Sequence, residues 1–129
     1  VVITARPSYS RVKTALIAIN NHPKLELQLV LTGSSLLDRY GSVLEVIESD
    51  GFVIAEKIYN VIEGESPSAM AKTTGLGITE LSTTFQNLKP DVVVTIADRF
   101  ETIATSIAAS YQNIPLVHIQ GMDNIQVQV

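Results

Sequence analysis

The stretch VVVTIADRFETIA, residues 92–104, decides the fold class because its character changes halfway along. The first half is an unbroken run of mostly β-branched residues that ends at Ala97. Asp98, Arg99 and Glu101 follow, and apolar residues then return at helical spacing. A strand that is apolar on both faces and leads directly into a helix is typical of a parallel sheet covered by helices on both sides.

The same alternation of strand and helix runs along the whole chain. Strand patterns occupy residues 1–5, 25–32, 52–59, 92–97 and 116–119, and helical patterns occupy residues at about 10–22, 35–49, 67–88 and 99–112. The predicted helix start signals are Ser10, Ser34 or Ser35, Ser66 before Pro67, and Asp98. The order βαβαβαβαβ predicts an α/β fold with an open, doubly wound parallel sheet of the Rossmann-like kind.

Composition narrows the classes of function. The 129 residues suffice for one domain, and a formal net charge of −4 disfavours nucleic acid or an anionic membrane as partner. The chain has no cysteine, which excludes disulfides and thiolate catalysis and fits a cytoplasmic protein. No signal peptide or membrane-length apolar run is visible, and the lack of an initiator methionine before Val1 suggests a natural start upstream.

Motifs for cofactors and metal ions are not matched. The segment TARPSYS, residues 4–10, follows the first strand without the glycines of a dinucleotide-binding turn. The segment ESPSAMAKTTG, residues 65–75, contains a Lys-Thr pair but lacks the glycine spacing of a phosphate-binding loop. The two histidines lie far apart and lack the spacing of metal ligands. We therefore predict neither a cofactor nor a metal ion.

Polar residues gather where a doubly wound sheet binds its ligands. Such ligands lie beyond the carboxyl ends of the strands, near the point where the strand order reverses. The loops after the first, fourth and fifth strands reach that edge, and they comprise residues 6–10, 98–101 and 118–121. These three loops are the predicted site.

The acidic residues after the fourth strand have two interpretations. Asp98 and Glu101 have the three-residue spacing of a capping box, in which both side chains serve the start of a helix. A carboxylate at the end of a central strand, beside Arg99, also suits proton transfer or binding of a sugar hydroxyl. The two roles are compatible.

The other polar residues also have two interpretations each. Arg6 is either a surface cation paired with an acid or a ligand for phosphate beside a helix N-terminus. Ser8 and Ser10 are helix caps, phosphate donors or both. His118 and Gln120 lie on one side of the last predicted strand. His118 is either a core histidine or a ligand contact. Gln120 is either a surface amide or a ligand contact.

Three segments together resemble a known family, the hydrolysing UDP-N-acetylglucosamine 2-epimerases. The segments are TARPSYSRVKTAL (4–16), LVLTGSSLLDRYGSVLEVIESDGF (29–52) and LKPDVVVTIADRFETIATSIAASYQNIPLVHIQG (88–121). They occur in the family's order and at matching spacing. The resemblance implies that residues 1–121 form the N-terminal Rossmann-like domain of a two-domain fold similar to the glycosyltransferase B type.

The resemblance also implies a reaction and a set of site residues. Such enzymes remove the proton at carbon 2 of a UDP-sugar while UDP departs from carbon 1, and they then hydrate the glycal to release N-acetylmannosamine or a related sugar. The family implies catalytic roles for Asp98, Glu101 and Asp123. It implies substrate binding by Arg6, Ser10, Arg99, His118 and Gln120. The implied partners are a UDP-sugar and further copies of the chain.

The end of the chain departs from the family pattern. Gln120 stands where many members have glutamate, and Gly121-Met122-Asp123 replaces the usual Gly-Gly-Glu, with Asp123 as a substitute acid. Residues 122–129 form a divergent tail, and the family's second domain is absent. The tail NIQVQV alternates apolar and polar residues, which predicts an edge strand prone to self-association or, alternatively, a frayed end.

Three functions follow from these observations. The chain is the N-terminal half of an epimerase that is inactive alone, a nucleotide-sugar-binding module without chemistry, or a structural domain whose acidic cluster only caps a helix.

Overall fold

The computed structural model describes residues 1–37, 43–64, 66–97, 99–120 and 124–128, with the backbone alone for residues 120 and 124–128. The strands are β1 (Val2–Ile3), β2 (Leu29–Thr32), β3 (Ile54–Ile58), β4 (Val93–Ile96), β5 (Leu116–Gln120) and β6 (Asn124–Gln128). The α-helices are α1 (Arg6–Asn21), α2 (Leu44–Ser49), α3 (Pro67–Leu88) and α4 (Thr102–Tyr111), and a 3₁₀ turn spans Gly33–Leu36.

The strands form two three-stranded sheets that meet at β1 and β4. One sheet has the parallel order β1-β2-β3, and the other pairs β4 with β5 in parallel and β5 with β6 antiparallel. Because β1 contacts β4, the spatial order is β3-β2-β1-β4-β5-β6. The predicted doubly wound α/β fold is confirmed, with its reversal of strand order between β1 and β4, although the last strand is not parallel.

Helices cover both faces of the β1-β2-β3 sheet. Consecutive residues of β1 and β2 pack against different helices on opposite faces. Ile3 and Leu31 pack with Leu16 of α1 on one face. Their neighbours Val2 and Val30 pack on the other face with a group from α3 and α4 that includes Leu81, Phe85, Ala104 and Ala108. Because successive strand residues point to opposite faces, this division requires the run of apolar residues that the sequence shows.

Of the four predicted helix starts, one is confirmed and three are wrong, and the third of these is described in the next paragraph. α1 begins at Arg6 rather than near Ser10, because Pro7 fits the first turn of a helix, where its missing N–H is not needed. α4 begins at Thr102, so Asp98 is not its N-cap residue, and Glu101 holds that position without a side-chain capping bond. α3 starts as predicted, with the Ser66 hydroxyl accepting a hydrogen bond from the Ala69 amide at 3.1 Å.

The helix predicted over residues 35–49 is shorter in the structure. A 3₁₀ turn occupies Gly33–Leu36, and α2 spans Leu44–Ser49. Residues 38–42 of the predicted helix lie outside the described part of the chain. Ser34 and Ser35 belong to the 3₁₀ turn, where their hydroxyls bond backbone carbonyls of β1 and β2 instead of capping a helix.

A polar cluster ties α1 to the end of α2. The buried Tyr9 hydroxyl donates a hydrogen bond to the Asp50 carboxylate, which also pairs with the Lys13 ammonium at 3.1 Å. The hydrogen bond from Tyr9 and then the contact with Lys13 lower the pKa of Asp50 below its ordinary 3.8. Burial and the nearby carboxylate raise the pKa of Tyr9 above its ordinary range.

We expect Tyr9→Phe to destabilise the protein at neutral pH and much less in acid. The folded state lowers the pKa of Asp50, so this stabilisation is complete above pH 3.8 and is lost as the pH falls through the folded-state pKa. Urea unfolding followed by circular dichroism at pH 7 and pH 2.5 measures the difference. Tyr111→Phe is the control because Tyr111 is 86% exposed. A loss of stability equal at both pH values would contradict the assignment.

Candidate functional site

The loops after β1 and β4 lie side by side at the carboxyl edge of the sheet. β4 ends at Ile96, and the next residue, Ala97, has the left-handed φ of 69° that non-glycine residues rarely adopt. Its amide donates to the Ile119 carbonyl at 2.9 Å, which fixes the end of β4 against β5. Backbone strain of this kind costs about 1–3 kcal/mol and clusters at functional sites.

The loop after β1 is bonded to the 3₁₀ turn after β2. The Thr4 carbonyl accepts hydrogen bonds from the Ser34 hydroxyl and the Ser35 amide, both at 3.1 Å. The Ser35 hydroxyl donates to the Thr32 carbonyl at 2.6 Å. These bonds satisfy buried groups and hold the first two loops as one unit.

Glu101 is a buried carboxylate at the centre of this edge. It is 3% exposed, and its oxygens accept hydrogen bonds from Arg99 Nε at 3.2 Å and Nη2 at 3.3 Å. It packs against Gly33, where an added Cβ would lie 3.5 Å from Glu101 Oε1 and 3.2 Å from the Thr4 carbonyl oxygen. Gly33 also has a φ of 60°, so the position suits glycine for both reasons.

Arg99 is oriented by this buried acid. Its side chain is 47% exposed, its guanidinium bonds Glu101, and the guanidinium carbon lies 6.0 Å from the centre of the Phe100 ring. A guanidinium fixed in this way keeps further N–H donors for an anion. The sequence placed Arg99 and Glu101 in one cluster, and the structure brings them into contact.

Arg6 and Ser10 lie on the exposed part of the first three turns of α1. Within the described residues, Arg6 has no hydrogen-bond or ion-pair partner. The N-cap residue Ala5 supplies no side-chain bond, and the first turn holds no acidic residue. No described residue therefore offsets the charge of Arg6 and of the helix amides, which favours the phosphate interpretation over the ion-pair interpretation.

His118 lies deeper than these residues. Its Nδ1 is 2.7 Å from the Thr95 hydroxyl, its register partner on β4, and the ring is half-buried. This bond supports the interpretation of His118 as a structural histidine. Gln120 ends β5 opposite Asn124, and its side chain lies outside the described residues.

The remaining predicted residues are Asp98 and Asp123, and both lie outside the described residues. Their roles stay predictions. Sequence reasoning missed Asn60, which is buried directly after β3 and bonds to the loop after β2. The rule that loops at the carboxyl edge carry function would have pointed to Asn60, had it been applied to the second and third strands as well.

A cavity of about 400 Å³ lies at the opposite edge of the sheet. It opens among the amino ends of the strands, with Val1, Leu27 and Val92 in its lining. None of the candidate site residues lines it. The candidate site is therefore the polar carboxyl edge and not this cavity.

The fold defines a class: a doubly wound α/β domain with arginine side chains in the loops at the reversal of strand order, where domains of this kind bind their ligands. A family model described as UDP-N-acetylglucosamine 2-epimerase matches residues 17–123, and the chain belongs to that family. The resemblance seen in the sequence is thereby confirmed.

Two curated relatives and one solved structure show the extent of the similarity. The chain is 34% identical over 123 residues to a UDP-N,N'-diacetylbacillosamine 2-epimerase (hydrolyzing) of Legionella pneumophila, covering 93% of this chain and 32% of that protein. It is 31% identical over 120 residues to polysialic acid biosynthesis protein P7 of Escherichia coli, covering 93% and 31%. A UDP-GlcNAc 2-epimerase from Neisseria meningitidis, solved bound to UDP-GlcNAc, has the same fold with a TM-score of 0.76 and 22% identity, covering 92% and 30%. The chain thus spans about a third of the length of these proteins.

Proposed function

We propose that residues 1–121 act as the N-terminal domain of a hydrolysing UDP-N-acetylglucosamine 2-epimerase. The observation that carries the proposal is the pair of cationic groups at the reversal of strand order. Arg6 stands in the first turn of α1, which contains no acidic residue, and Arg99 is bonded to Glu101 in the loop after β4. This arrangement suits a diphosphate, whose charge both arginines and the helix amides would offset.

The proposed substrate is a UDP-sugar with an N-acetyl group at carbon 2. The names of the relatives support this class, since they are 2-epimerases of UDP-activated amino sugars or belong to polysialic acid synthesis. The product would be UDP with N-acetylmannosamine or a related sugar. The second domain of the family would supply the uridine contacts, so the chain alone is expected to be inactive.

The proposed reaction needs an acid or base near carbon 2 and cations near the departing UDP. Both Glu101 oxygens are engaged by Arg99 and the carboxyl group is buried, so Glu101 is better suited to orienting Arg99 than to moving a proton. Asp98 is then the candidate for proton transfer, with Asp123 as the second acid. Ser10 and Gln120 complete the proposed substrate contacts, while the bond of His118 to Thr95 assigns that ring a structural role instead of the predicted substrate contact.

The cellular setting is also a proposal. Among the described residues, no helix is long and apolar enough to cross a membrane. We propose that the protein acts in the cytoplasm, with further copies of itself as partner.

We expect the 129-residue chain to bind UDP weakly, through its phosphates. Isothermal titration calorimetry at low salt should show binding that Arg6→Ala weakens by about tenfold, because an arginine–phosphate hydrogen bond contributes about 1.5 kcal/mol. Arg11→Ala is the matched control, since Arg11 is also exposed on α1 and carries the same charge. Equal losses in both variants would show general charge attraction and would contradict the role of Arg6.

A further inference from the structure

Asn60 is a buried amide that bridges two elements of the site edge. It is 4% exposed, and its Oδ1 accepts a hydrogen bond from the Gly33 amide at 3.0 Å. Its Nδ2 donates to the Thr73 carbonyl of α3 at 3.2 Å. The side chain therefore links the turn after β2 to the long helix α3, and both of its functional ends are used.

The hydrogen bond between Asn60 and Gly33 connects Asn60 to the cationic site, because Gly33 is a neighbour of Glu101, which bonds Arg99. Gly33 is in the left-handed conformation, and an added Cβ there would lie 3.5 Å from Glu101 Oε1 and 3.6 Å from Glu101 Cγ. The Gly33 backbone is therefore a neighbour of the Glu101 carboxylate, about one methyl group away. Since Glu101 holds the Arg99 guanidinium through two hydrogen bonds, a shift of the Gly33 backbone toward or away from Glu101 would change the space in which this pair sits.

Helix α3 makes room for the Asn60 side-chain amide by having a glycine, Gly77, where the two meet. A Cβ on Gly77 of α3 would lie 3.0 Å from Asn60 Nδ2 and 3.1 Å from the Ala104 Cβ of α4. The side chain of Asn60 is therefore confined by α3 and α4 as well as bonded. A confined and fully bonded amide keeps one orientation, which is what a positioning residue requires.

We propose that Asn60 is a positioning residue for the anion site, acting through Gly33 and Glu101 on Arg99. The proposal rests on the proposed function, because it assigns Arg99 to the diphosphate. Asn60 itself touches neither Arg99 nor the ligand. Removing the Asn60 side chain should free the Gly33 amide and let the turn shift, and this shift should change the position of the neighbouring Glu101 carboxylate.

The test compares Asn60→Ala with Thr73→Val in the 129-residue chain. The Thr73 hydroxyl accepts a hydrogen bond from the Ile62 amide at 2.9 Å, so Thr73→Val removes a neighbouring bond without touching Gly33. Both variants should lose stability in urea. Asn60→Ala alone should shift the Arg99 Nε–H signal in nitrogen-edited NMR spectra and weaken binding of inorganic pyrophosphate by about fivefold.

The outcomes separate the two proposals. An Arg99 signal and a pyrophosphate affinity that match those of Thr73→Val would overturn the role of Asn60. If the unaltered chain binds neither pyrophosphate nor UDP, the proposed function fails, while the Arg99 signal still decides whether Asn60 positions that side chain. If Asn60→Ala does not fold, Gly77→Ala serves instead, because its methyl group displaces Asn60 Nδ2 without removing the amide. An unshifted Arg99 signal in folded Gly77→Ala would then overturn the proposal.

Discussion

Replacing Arg99 with alanine should lower the free energy of unfolding by about 2 kcal/mol, a large effect for a residue whose side chain is half exposed. The cost comes from Glu101, which is only 3% exposed in the native protein and would lose the guanidinium that donates to both of its oxygens. A buried carboxylate that loses its partner keeps its desolvation penalty. Urea unfolding followed by circular dichroism measures the change.

A double variant separates this mechanism from the loss of ordinary surface contacts. Adding Glu101→Gln to Arg99→Ala removes the buried charge and should restore about 1 kcal/mol. Arg11→Ala, which removes an exposed arginine from α1, should change stability by less than about 0.5 kcal/mol. If the double variant is less stable than Arg99→Ala, the buried charge is not the source of the loss.

The start of α4 shows where sequence patterns fail. Asp98 and Glu101 have capping-box spacing, yet the helix begins at Thr102 and the Glu101 side chain turns to Arg99 instead of a backbone amide. The competing partner is Arg99, two residues before Glu101. The capping-box pattern takes no account of this arginine, and it does not show that Glu101 is buried, where an ion pair is favoured over an exposed cap. By contrast, α3 follows its prediction at both ends because Ser66 and Pro67 form a purely local start signal.

The tail is a case in which the sequence predicted the element but not its direction. Alternation in residues 124–129 predicted an edge strand, and β6 confirms it by pairing antiparallel with β5. Alternation is the same in either direction, so it could not decide the pairing. The short connection could have decided the direction of pairing. A parallel crossover needs a dozen or more residues, and only three separate β5 from β6. Self-association through this edge stays a prediction.

The location of the candidate site could be predicted from where the strands end. The hydrogen bonds among its residues could not. The location of Arg6, Arg99 and Glu101 at one edge follows from topology alone. The Asn60–Gly33 bond joins residues 27 positions apart, and no periodicity or spacing encodes such a pair. Its parts, a polar residue after one strand and a glycine after another, are visible in the sequence only as candidates.

Asp98→Asn should reduce epimerase turnover by about 100-fold or more in the longer protein that carries this domain, with little change in affinity for the UDP-sugar. Asparagine has the shape of aspartate, but its amide cannot carry the proton that leaves carbon 2. The described residues on either side are held in place, since the Ala97 amide bonds the Ile119 carbonyl and Arg99 pairs with a buried acid. Steady-state kinetics that separate kcat from KM test the expectation.

Asp91→Asn is the matched control, because it makes the same change at the opposite end of β4, where Asp91 is exposed beside the cavity. Turnover of Asp98→Asn equal to that of Asp91→Asn would remove Asp98 from the chemistry, and the function would then reduce to nucleotide-sugar binding at the two arginines.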